Sequence, residues 1–330
     1  MQPGRSGAGS VEFIHKSFGE FLCAERLKEC LEDWSKPGDR RREFYISTEE
    51  MDWELYDLLG YGGLTPEIVE YLMAMLTDSP EIDTQGWIRL FQRLNSFYDR
   101  WCEGELIDAD PSENLPQKKM RLLKDQRPEQ DKPLGLRQVD VFTGLNVLIL
   151  LLELHRYAQN PKQPREELKQ QIMFYPSGQV SEAASLDKTT DRLLKVIHYA
   201  DCLESASFTQ IAGSFFDSAN LNSADLDSAN LNSANLDSAN LYRANLTSAN
   251  LYRADLNSAD LNSADLKDAD LRNADLANAN LAGITWNENT RWQGVRGLET
   301  ARNVPEGLKA QVDLQNQTLN QAEQETEADD

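Results

Sequence analysis

The feature that most constrains the fold is a five-residue repeat that runs without a break from residue 219 to residue 283. Its unit is Ala-(Asp/Asn)-Leu-x-x, and a period of five fits neither the 3.6-residue turn of a helix nor the two-residue alternation of a strand. The pattern indicates a chain that turns a corner every five residues, closes into coils and stacks as a solenoid. The predicted core leucines of its thirteen units are Leu221, Leu226, Leu231, Leu236, Leu241, Leu246, Leu251, Leu256, Leu261, Leu266, Leu271, Leu276 and Leu281.

This repeat is similar to that of the pentapeptide-repeat family, and the resemblance implies a right-handed, four-sided β-helix with twenty residues per coil. Thirteen units would then make a little over three coils, about 16 Å tall at a strand spacing of about 4.8 Å. Residues twenty apart would stack in outward columns in which Asn dilutes the Asp charges. Only Asp255 and Asp275 would place like charges in contact, which destabilises a sheet.

Most of the paired residues after each leucine are small and polar, but Tyr242-Arg243 and Tyr252-Arg253 are not. Twenty-residue stacking places Tyr252 beneath Arg272, a cation–π contact worth about 0.5–1 kcal/mol when exposed. One interpretation is surface stabilisation. The other is a partner-binding site, because Tyr and Arg are enriched at interface hot spots. That site would comprise Tyr242, Arg243, Tyr252, Arg253 and Arg272.

A short solenoid over residues 206–284 needs lids, since exposed end coils fray and invite edge pairing. Phe216 is the predicted cap residue at the first end. Trp286 and Trp292 are predicted to form a lid, rather than a binding site, within a helical cap over 285–312. That stretch resembles the C-terminal cap of bacterial pentapeptide-repeat proteins. The last segment, 313–330, carries six acidic residues and no basic residue, which predicts disorder.

The chain before the repeat predicts an all-α region, so the fold class is α+β and multidomain. Residues 1–9 are a predicted flexible end. Residues 10–36 predict a short strand at 11–14 and a helix opened by a capping box of Ser17 and Glu20. Residues 37–205 predict a helical domain, in which Ser47 or Thr48 caps one helix, Thr65 caps the next with Pro66 at its first position, and an amphipathic helix spans 87–101. The segment 103–136 is charged and contains four prolines, which predicts an irregular stretch; they are Pro111, Pro116, Pro128 and Pro133.

The string FIHKSFGEFLCAERL at residues 13–27 resembles the end of the winged-helix region in bacterial NACHT-type NTPases of the STAND class. The stretches 64–72 and 138–159 look like the linker between NACHT and pentapeptide-repeat regions. These resemblances imply the sensor half of a signalling NTPase, or a split or truncated gene product. The sequence has no P-loop, G-x-x-x-x-G-K-(S/T), so we expect no ATP hydrolysis.

No other chemistry is indicated. The three histidines lie in unrelated helical patterns, with His15 interpreted as structural, and Cys23 and Cys30 are spaced unlike zinc ligands. We therefore expect no enzyme activity, no metal and no cofactor. A net charge of −22 argues against binding nucleic acid or an anionic membrane through bulk charge. The sequence contains no 18-residue apolar run and no secretory signal in residues 1–9, so a cytoplasmic location is expected.

The function predicted from these features is a non-catalytic protein-interaction or sensor module, with an NTPase module as one candidate partner. The first alternative is a DNA mimic that inhibits a topoisomerase such as gyrase. Residues 206–283 have ten acidic and four basic residues, a net of 4 − 10 = −6. A solenoid of about 16 Å imitates only about five base pairs, which argues against mimicry. The second alternative is an orphaned gene fragment.

Overall fold

The computed structural model of the 330-residue chain describes residues 16–109, 114–126, 135–162, 166–178 and 190–317. The described chain before the repeat is helical, and a 3-10 turn at Gly213–Phe215 joins it to the repeat. The helices are α1 (Lys16–Ser35), α2 (Thr48–Leu59), α3 (Pro66–Thr77), α4 (Thr84–Cys102), α5 (Leu115–Gln126), α6 (Leu136–Gln159), α7 (Glu166–Gln171), α8 (Arg192–Asp201) and α9 (Ser207–Ile211). A tenth helix, α10, follows the repeat at 308–317, so the predicted disorder is wrong for residues 313–317, while 318–330 lie outside the described residues.

The starts of α2 and α3 follow the predicted sequence signals. Ser47 and Glu50 form a reciprocal capping box, in which the Glu50 amide donates to Ser47 Oγ at 3.2 Å and the Ser47 amide donates to Glu50 Oε2 at 3.0 Å. Thr65 caps α3, and Pro66 occupies its first position, where a missing N–H costs nothing.

The predicted capping box at α1 is wrong. Helix α1 already includes Lys16, so Ser17 lies inside it and cannot be its N-cap. Glu20 instead forms an ion pair with Lys16, one helical turn earlier, with Nζ and Oε1 3.1 Å apart. The predicted strand at 11–14 and His15 lie outside the described residues.

Helices α4 and α6 form the centre of the helical region. Trp87, Leu90, Leu94 and Phe97 of α4 are buried, as the amphipathic pattern predicts. Helix α6 is long and apolar enough to cross a membrane by composition alone, but 89% of its most apolar window is buried inside the protein. Such burial is typical of a core helix, so α6 is weak evidence for a membrane span. The expectation from the sequence that no segment spans a membrane stays a prediction.

Helix α5 lies within the segment 103–136 that the sequence analysis treats as irregular. The prolines that suggested a loop do not interrupt this helix. Pro116 occupies its first turn, where proline is tolerated, while Pro111, Pro128 and Pro133 fall outside its bounds. Lys119 of α5 pairs with Asp57 of α2 and so ties the helix to the core.

A buried carboxylate joins three helices. Asp140 of α6 is 1% exposed and accepts hydrogen bonds from Tyr56 Oη at 2.6 Å, Trp101 Nε1 at 3.0 Å and Tyr199 Oη at 2.9 Å. Gly144 permits this arrangement, because a Cβ at that position would lie 2.0 Å from Trp101 Cε2. The network fixes α2, α4 and α8 around α6.

The repeat winds into coils of twenty residues, as predicted. Each Asp or Asn of the unit forms a parallel bridge with the residue twenty positions later, from Asn220 with Asn240 to Asp260 with Asn280. Two backbone hydrogen bonds make each bridge; the Leu241 amide donates to Asp260 O at 2.8 Å and the Asp260 amide to Ala239 O at 2.9 Å. The repeat contains single-residue bridges and no extended strand, so the β-helix prediction stays unconfirmed.

Leucine and alanine fill the interior. The repeat leucines and alanines from Ala219 to Leu281 are at most 1% exposed. On the outside, Asn side chains donate to the carboxylates stacked beneath them, for example Asn245 Nδ2 to Asp225 Oδ1 at 2.9 Å and Asn280 Nδ2 to Asp260 Oδ1 at 2.8 Å. The columns therefore carry the diluted charge that the sequence predicts.

Coil stacking continues past residue 284, where the sequence analysis ends the repeat. Thr285, Arg291, Arg296 and Arg302 bridge back to the coil below, at intervals of six, five and six residues. The repeat motif is lost here, yet backbone pairing persists because the bridges need no particular side chain. Arg296 Nη2 also lies 3.7 Å from Asp275 Oδ2, which offsets the stacked pair of Asp255 and Asp275.

The helical region closes the first end of the solenoid. The Asp225 amide donates to Thr190 O at 3.1 Å, and the Asn235 amide donates to Gly213 O at 2.8 Å, so these carbonyls replace a preceding coil. Phe216 is fully buried and packs on Phe208, with ring centroids 5.5 Å apart. Its predicted position at the capped end agrees with this packing.

Candidate partner-binding groove

The corners of the coils have an unusual backbone. The second residue after each repeat leucine, from Ser223 to Gly283, adopts a left-handed conformation with φ between +56° and +63°. Arg243 and Arg253 occupy two of these corners, with φ of +57° and +58°. Both arginines are exposed at these corners.

The structure does not bring the five predicted partner-binding residues together. Arg243 lies 4.9 Å from the Tyr242 ring centroid, and this pair belongs to a different bridge column from Tyr252. Around Tyr252, Arg253 lies at 5.1 Å and Arg272 at 5.6 Å from the ring centroid. The predicted contact between Tyr252 and Arg272 is therefore present, and the two tyrosines mark separate places.

A groove of about 1070 Å³ lies between the Tyr252 column and the C-terminal helix α10. One wall is the face of the solenoid and the other is α10, while the irregular last coil forms the floor. Of the predicted residues, Tyr252, Arg272 and Trp286 line it, and Tyr242, Arg243 and Arg253 do not. The remaining lining residues are Asn273, Asn287, Glu288, Arg291, Gln293, Gly294, Gln311, Leu314 and Gln315.

A single carboxylate holds both groove arginines. Arg272 binds Asp270 through two hydrogen bonds, Nε to Oδ1 at 2.9 Å and Nη2 to Oδ2 at 2.7 Å. Arg291 Nη1 lies 3.5 Å from Asp270 Oδ2. Burial alone would raise the pKa of Asp270, but the hydrogen bonds from Arg272 and the charge of Arg291 outweigh it and lower that pKa. The guanidinium groups are thus positioned before any ligand arrives.

The two tryptophans predicted as a lid have different roles. Trp292 is fully buried and closes the last coil. Trp286 is only partly buried, lines the groove and donates from Nε1 to Gln311 Oε1 at 2.6 Å. Trp286 therefore combines a structural contact with an exposed aromatic surface in the groove.

Sequence reasoning missed the amide side chains of α10 that terminate the solenoid. Gln315 Oε1 accepts from the Trp292 amide at 2.8 Å, and Asn316 Oδ1 accepts from the Gly294 amide at 2.9 Å. Gln311 Nε2 donates to Asn287 O at 3.1 Å. The available signal was the four-residue spacing of Gln311 and Gln315, which places both on one helix face.

The groove contains no nucleophile paired with a base. Elsewhere, burial raises the pKa of Cys102 to about 12, so this thiol is not an activated nucleophile. The described residues include no group of three His, Cys, Asp or Glu side chains placed to hold a metal ion. The arrangement offers aromatic faces, fixed arginines and amides, which are groups that bind rather than react.

A family description, pentapeptide repeats, matches residues 214–251 and 249–285 with eight copies of the repeat. The chain belongs to the pentapeptide-repeat family. Proteins of this family are generally non-catalytic structural or interaction modules. The match leaves the helical region before residue 214 unassigned, so its resemblance to NACHT-type NTPases stays a prediction. No curated protein sequence matches the chain.

Three solved pentapeptide-repeat proteins are similar to this chain. HetL of the cyanobacterium Nostoc sp. strain PCC 7120, which is involved in heterocyst differentiation regulation, is 32% identical over 27% of this chain and 41% of its own, with a TM-score of 0.20. A thylakoid-lumen protein of Arabidopsis thaliana is 31% identical over 31% of this chain and 74% of its own, with a TM-score of 0.21. A protein from the cyanobacterium Cyanothece 51142 is 38% identical over 22% of this chain and 56% of its own, with a TM-score of 0.13.

The chain therefore spans less than two thirds of the length of HetL and of the Cyanothece protein. With TM-scores this low, none of the three likenesses informs the fold.

Proposed function

We propose that this pentapeptide-repeat protein is a non-catalytic interaction module that binds a short segment of a partner protein in the groove beside α10. Its solenoid is, in this proposal, the right-handed quadrilateral β-helix that the repeat predicts. The observation that carries the proposal is the groove itself, which places Tyr252 and Trp286 beside the two arginines fixed by Asp270. Rigid aromatic and arginine side chains in a concave site are the usual anchors of protein recognition.

The chemistry of the groove defines the segment that it would accept. The charges of Arg272 and Arg291 are balanced by Asp270 and Glu288, so the groove does not select a strongly charged ligand. Its amides can pair with a peptide backbone, and its two aromatic rings can take an apolar side chain. Because Asp270 already holds the arginines, less side-chain entropy is lost on binding than with free arginines.

Selection of peptides from a display library on the full chain tests this proposal. Peptides that bind should lose at least about tenfold in affinity to the Tyr252→Ala variant, the loss expected for a hot-spot residue. Tyr242→Ala is the matched control, since Tyr242 has the same place in its repeat but lies outside the groove. Selected peptides that bind both variants equally would place the binding surface elsewhere, and a selection with no binders would count against an interaction role.

The N-terminal resemblance favours an NTPase as the partner and the cytoplasm as the location, and both remain part of the proposal. No particular observation favours DNA mimicry. The acidic columns are interrupted by asparagines that hydrogen-bond to the carboxylates, and Arg291 and Arg296 lie against Asp270 and Asp275. A duplex presents an unbroken line of phosphates, which this surface does not reproduce.

A further inference from the structure

The connection between α1 and α2 forms a hairpin over residues 36–45, which we call the basic hairpin. The Gly38 amide donates to Glu43 O at 2.9 Å, the Tyr45 amide donates to Lys36 O at 3.3 Å, and Pro37 and Phe44 form an antiparallel bridge. A ten-residue hairpin with this much internal hydrogen bonding has a defined shape rather than that of a loose linker.

The tip of the basic hairpin is fixed by its own side chains. Asp39 Oδ1 accepts from the amides of Arg41 at 2.8 Å and Arg42 at 3.2 Å, which closes a tight turn. Gly38 is required for the close approach of the two arms, because a Cβ there would lie 2.0 Å from Arg42 O. The turn therefore presents three consecutive arginines in one backbone conformation.

The base of the hairpin is held by an arginine from the core. Arg93 of α4 is 7% exposed and donates to Trp34 O at 3.0 Å and to Ile46 O at 2.7 Å. Its guanidinium also lies 4.3 Å from the ring centroid of Phe44. Because one buried side chain binds the chain on both sides of the hairpin, the hairpin cannot move without breaking core contacts.

Two of the arginines at the tip contribute backbone amides to the turn, and the charge of Arg42 acts on the carboxylate of Glu50. Arg40, Arg41 and Arg42 are exposed, and they form no ion pair within the part of the chain that the structure describes. They stand out in a chain with a net charge of −22. Beside them, Tyr45 is 53% exposed, and a recess of about 410 Å³ is lined by Arg42, Glu43, Phe44, Ser47, Thr48 and Glu50.

We infer that the basic hairpin is a docking site for an acidic peptide segment of a partner protein, separate from the groove beside α10. The carboxylates of the segment would pair with Arg40 and Arg41. An uncharged residue of the segment would enter the recess, since Glu43 and Glu50 make the recess unsuitable for an anion. Arginine and tyrosine are the residue types most enriched at binding hot spots, and preorganisation lowers the entropy lost on docking.

The overall charge favours a peptide over nucleic acid or an anionic membrane. Both of those ligands extend a dense negative surface beyond a hairpin of this size, toward a protein with a net charge of −22. A short segment with a few acidic residues can reach the three arginines and stay within about one Debye length of them, where their attraction is little screened. It therefore meets less of the repulsion from the rest of the acidic protein.

The test uses the full chain and a fluorescein-labelled twelve-residue peptide of alternating glutamate and glycine. Binding of the peptide is measured by fluorescence anisotropy at low ionic strength. The triple variant Arg40→Ser, Arg41→Ser, Arg42→Ser should bind it about tenfold more weakly, because it removes the two exposed ion pairs of Arg40 and Arg41 and the nearby charge of Arg42. The variant Lys162→Ser, Lys169→Ser, Lys309→Ser is the matched control, because it removes the same charge from exposed positions outside the hairpin and the groove and should bind as the wild type does.

A peptide with glutamine in place of glutamate should not bind, and the affinity of the glutamate peptide should fall as salt is raised. Equal binding of the glutamate peptide to both triple variants would overturn the inference. Tighter binding of a twelve-nucleotide single-stranded DNA, or of phosphatidylserine vesicles, to the hairpin would overturn the choice of an acidic peptide. These outcomes do not depend on Tyr252, so they are distinguishable from failure of the groove proposal.

Discussion

Replacing Arg272 with alanine tests the construction of the groove. Arg272 contributes a two-point ion pair with Asp270 and a cation–π contact with Tyr252 at 5.6 Å. The Arg272 side chain is 41% exposed, so solvent screening limits the ion pair to about 1 kcal/mol and the ring contact to about 0.5 kcal/mol. Asp270, only 8% exposed, would keep the hydrogen bond from the backbone amide of residue 272 at 3.2 Å and the longer contact with Arg291, so part of its desolvation cost would be left uncompensated. We expect a total loss of about 2 kcal/mol.

Urea unfolding of wild type, Arg272→Ala, Asp270→Asn and the double variant measures the coupling directly. A coupling free energy of about 1 kcal/mol between the two positions is expected. Arg243→Ala is the control, because Arg243 is an exposed corner arginine with a cation–π contact to Tyr242, and it should cost less than about 0.5 kcal/mol. A coupling below about 0.3 kcal/mol would refute the claim that Asp270 fixes Arg272.

The same pair predicts a pH dependence. The pKa of Asp270 lies below its ordinary value of 3.8 in the folded protein. The stability from this pair is therefore fully present above the ordinary pKa and is lost as the pH falls through the lower, folded value. The difference in unfolding free energy between wild type and Arg272→Ala should shrink as the pH is lowered below about 4. A difference that stays constant with pH would contradict the assignment of the ionised Asp270 as the partner of Arg272.

Substitutions at three further sites test the core, the buried carboxylate and the solenoid end by urea unfolding and amide exchange. Leu256→Ala empties a fully buried position in a middle coil and should cost about 3 kcal/mol; a cost below 1 kcal/mol would contradict tight packing there. Asp140→Ala leaves three buried donors without an acceptor and should lower the free energy of unfolding by about 3 kcal/mol, against about 1 kcal/mol for Asp140→Asn. Burial raises the pKa of Asp140, so wild type should lose stability relative to Asp140→Asn as the pH rises through that pKa. Gln315→Ala removes the acceptor of the Trp292 amide and should cost about 1 kcal/mol and speed exchange of that amide; unchanged exchange would show that the contact is not a cap.

Local patterns made much of the repeat predictable. A five-residue period with one Leu and one Ala places every interior side chain, and twenty-residue stacking then fixes which outward residues meet. The contact of Tyr252 with Arg272 followed from that rule alone. The capping signals at Ser47 and Thr65 were predictable because a side chain and a backbone amide three residues apart decide them.

The groove and the basic hairpin depend on contacts between distant segments. Trp286 faces the groove because Gln311 of α10 accepts its N–H, a pairing across 25 residues that no local pattern encodes. The arginine run at residues 40–42 is plain in the sequence, but a basic run is usually a solvated loop. Only the buried Arg93, which holds the base of the hairpin from α4, makes it a fixed feature. Helix α5 was not predicted because a charged segment with several prolines is typical of an irregular stretch, and Pro116 is tolerated only because it lies in the first turn.

The four bridge columns of the solenoid have a consequence for how the two ends of the molecule are oriented. Each five-residue unit carries the chain along one of four sides of a coil. Inserting one unit would turn α10 and its groove by about a quarter of a revolution relative to the helical region, while adding only about 1.2 Å of height. Inserting four units would lengthen the solenoid by one coil and leave the orientation unchanged. The number of units thus sets the direction in which a partner held at one end faces a partner held at the other.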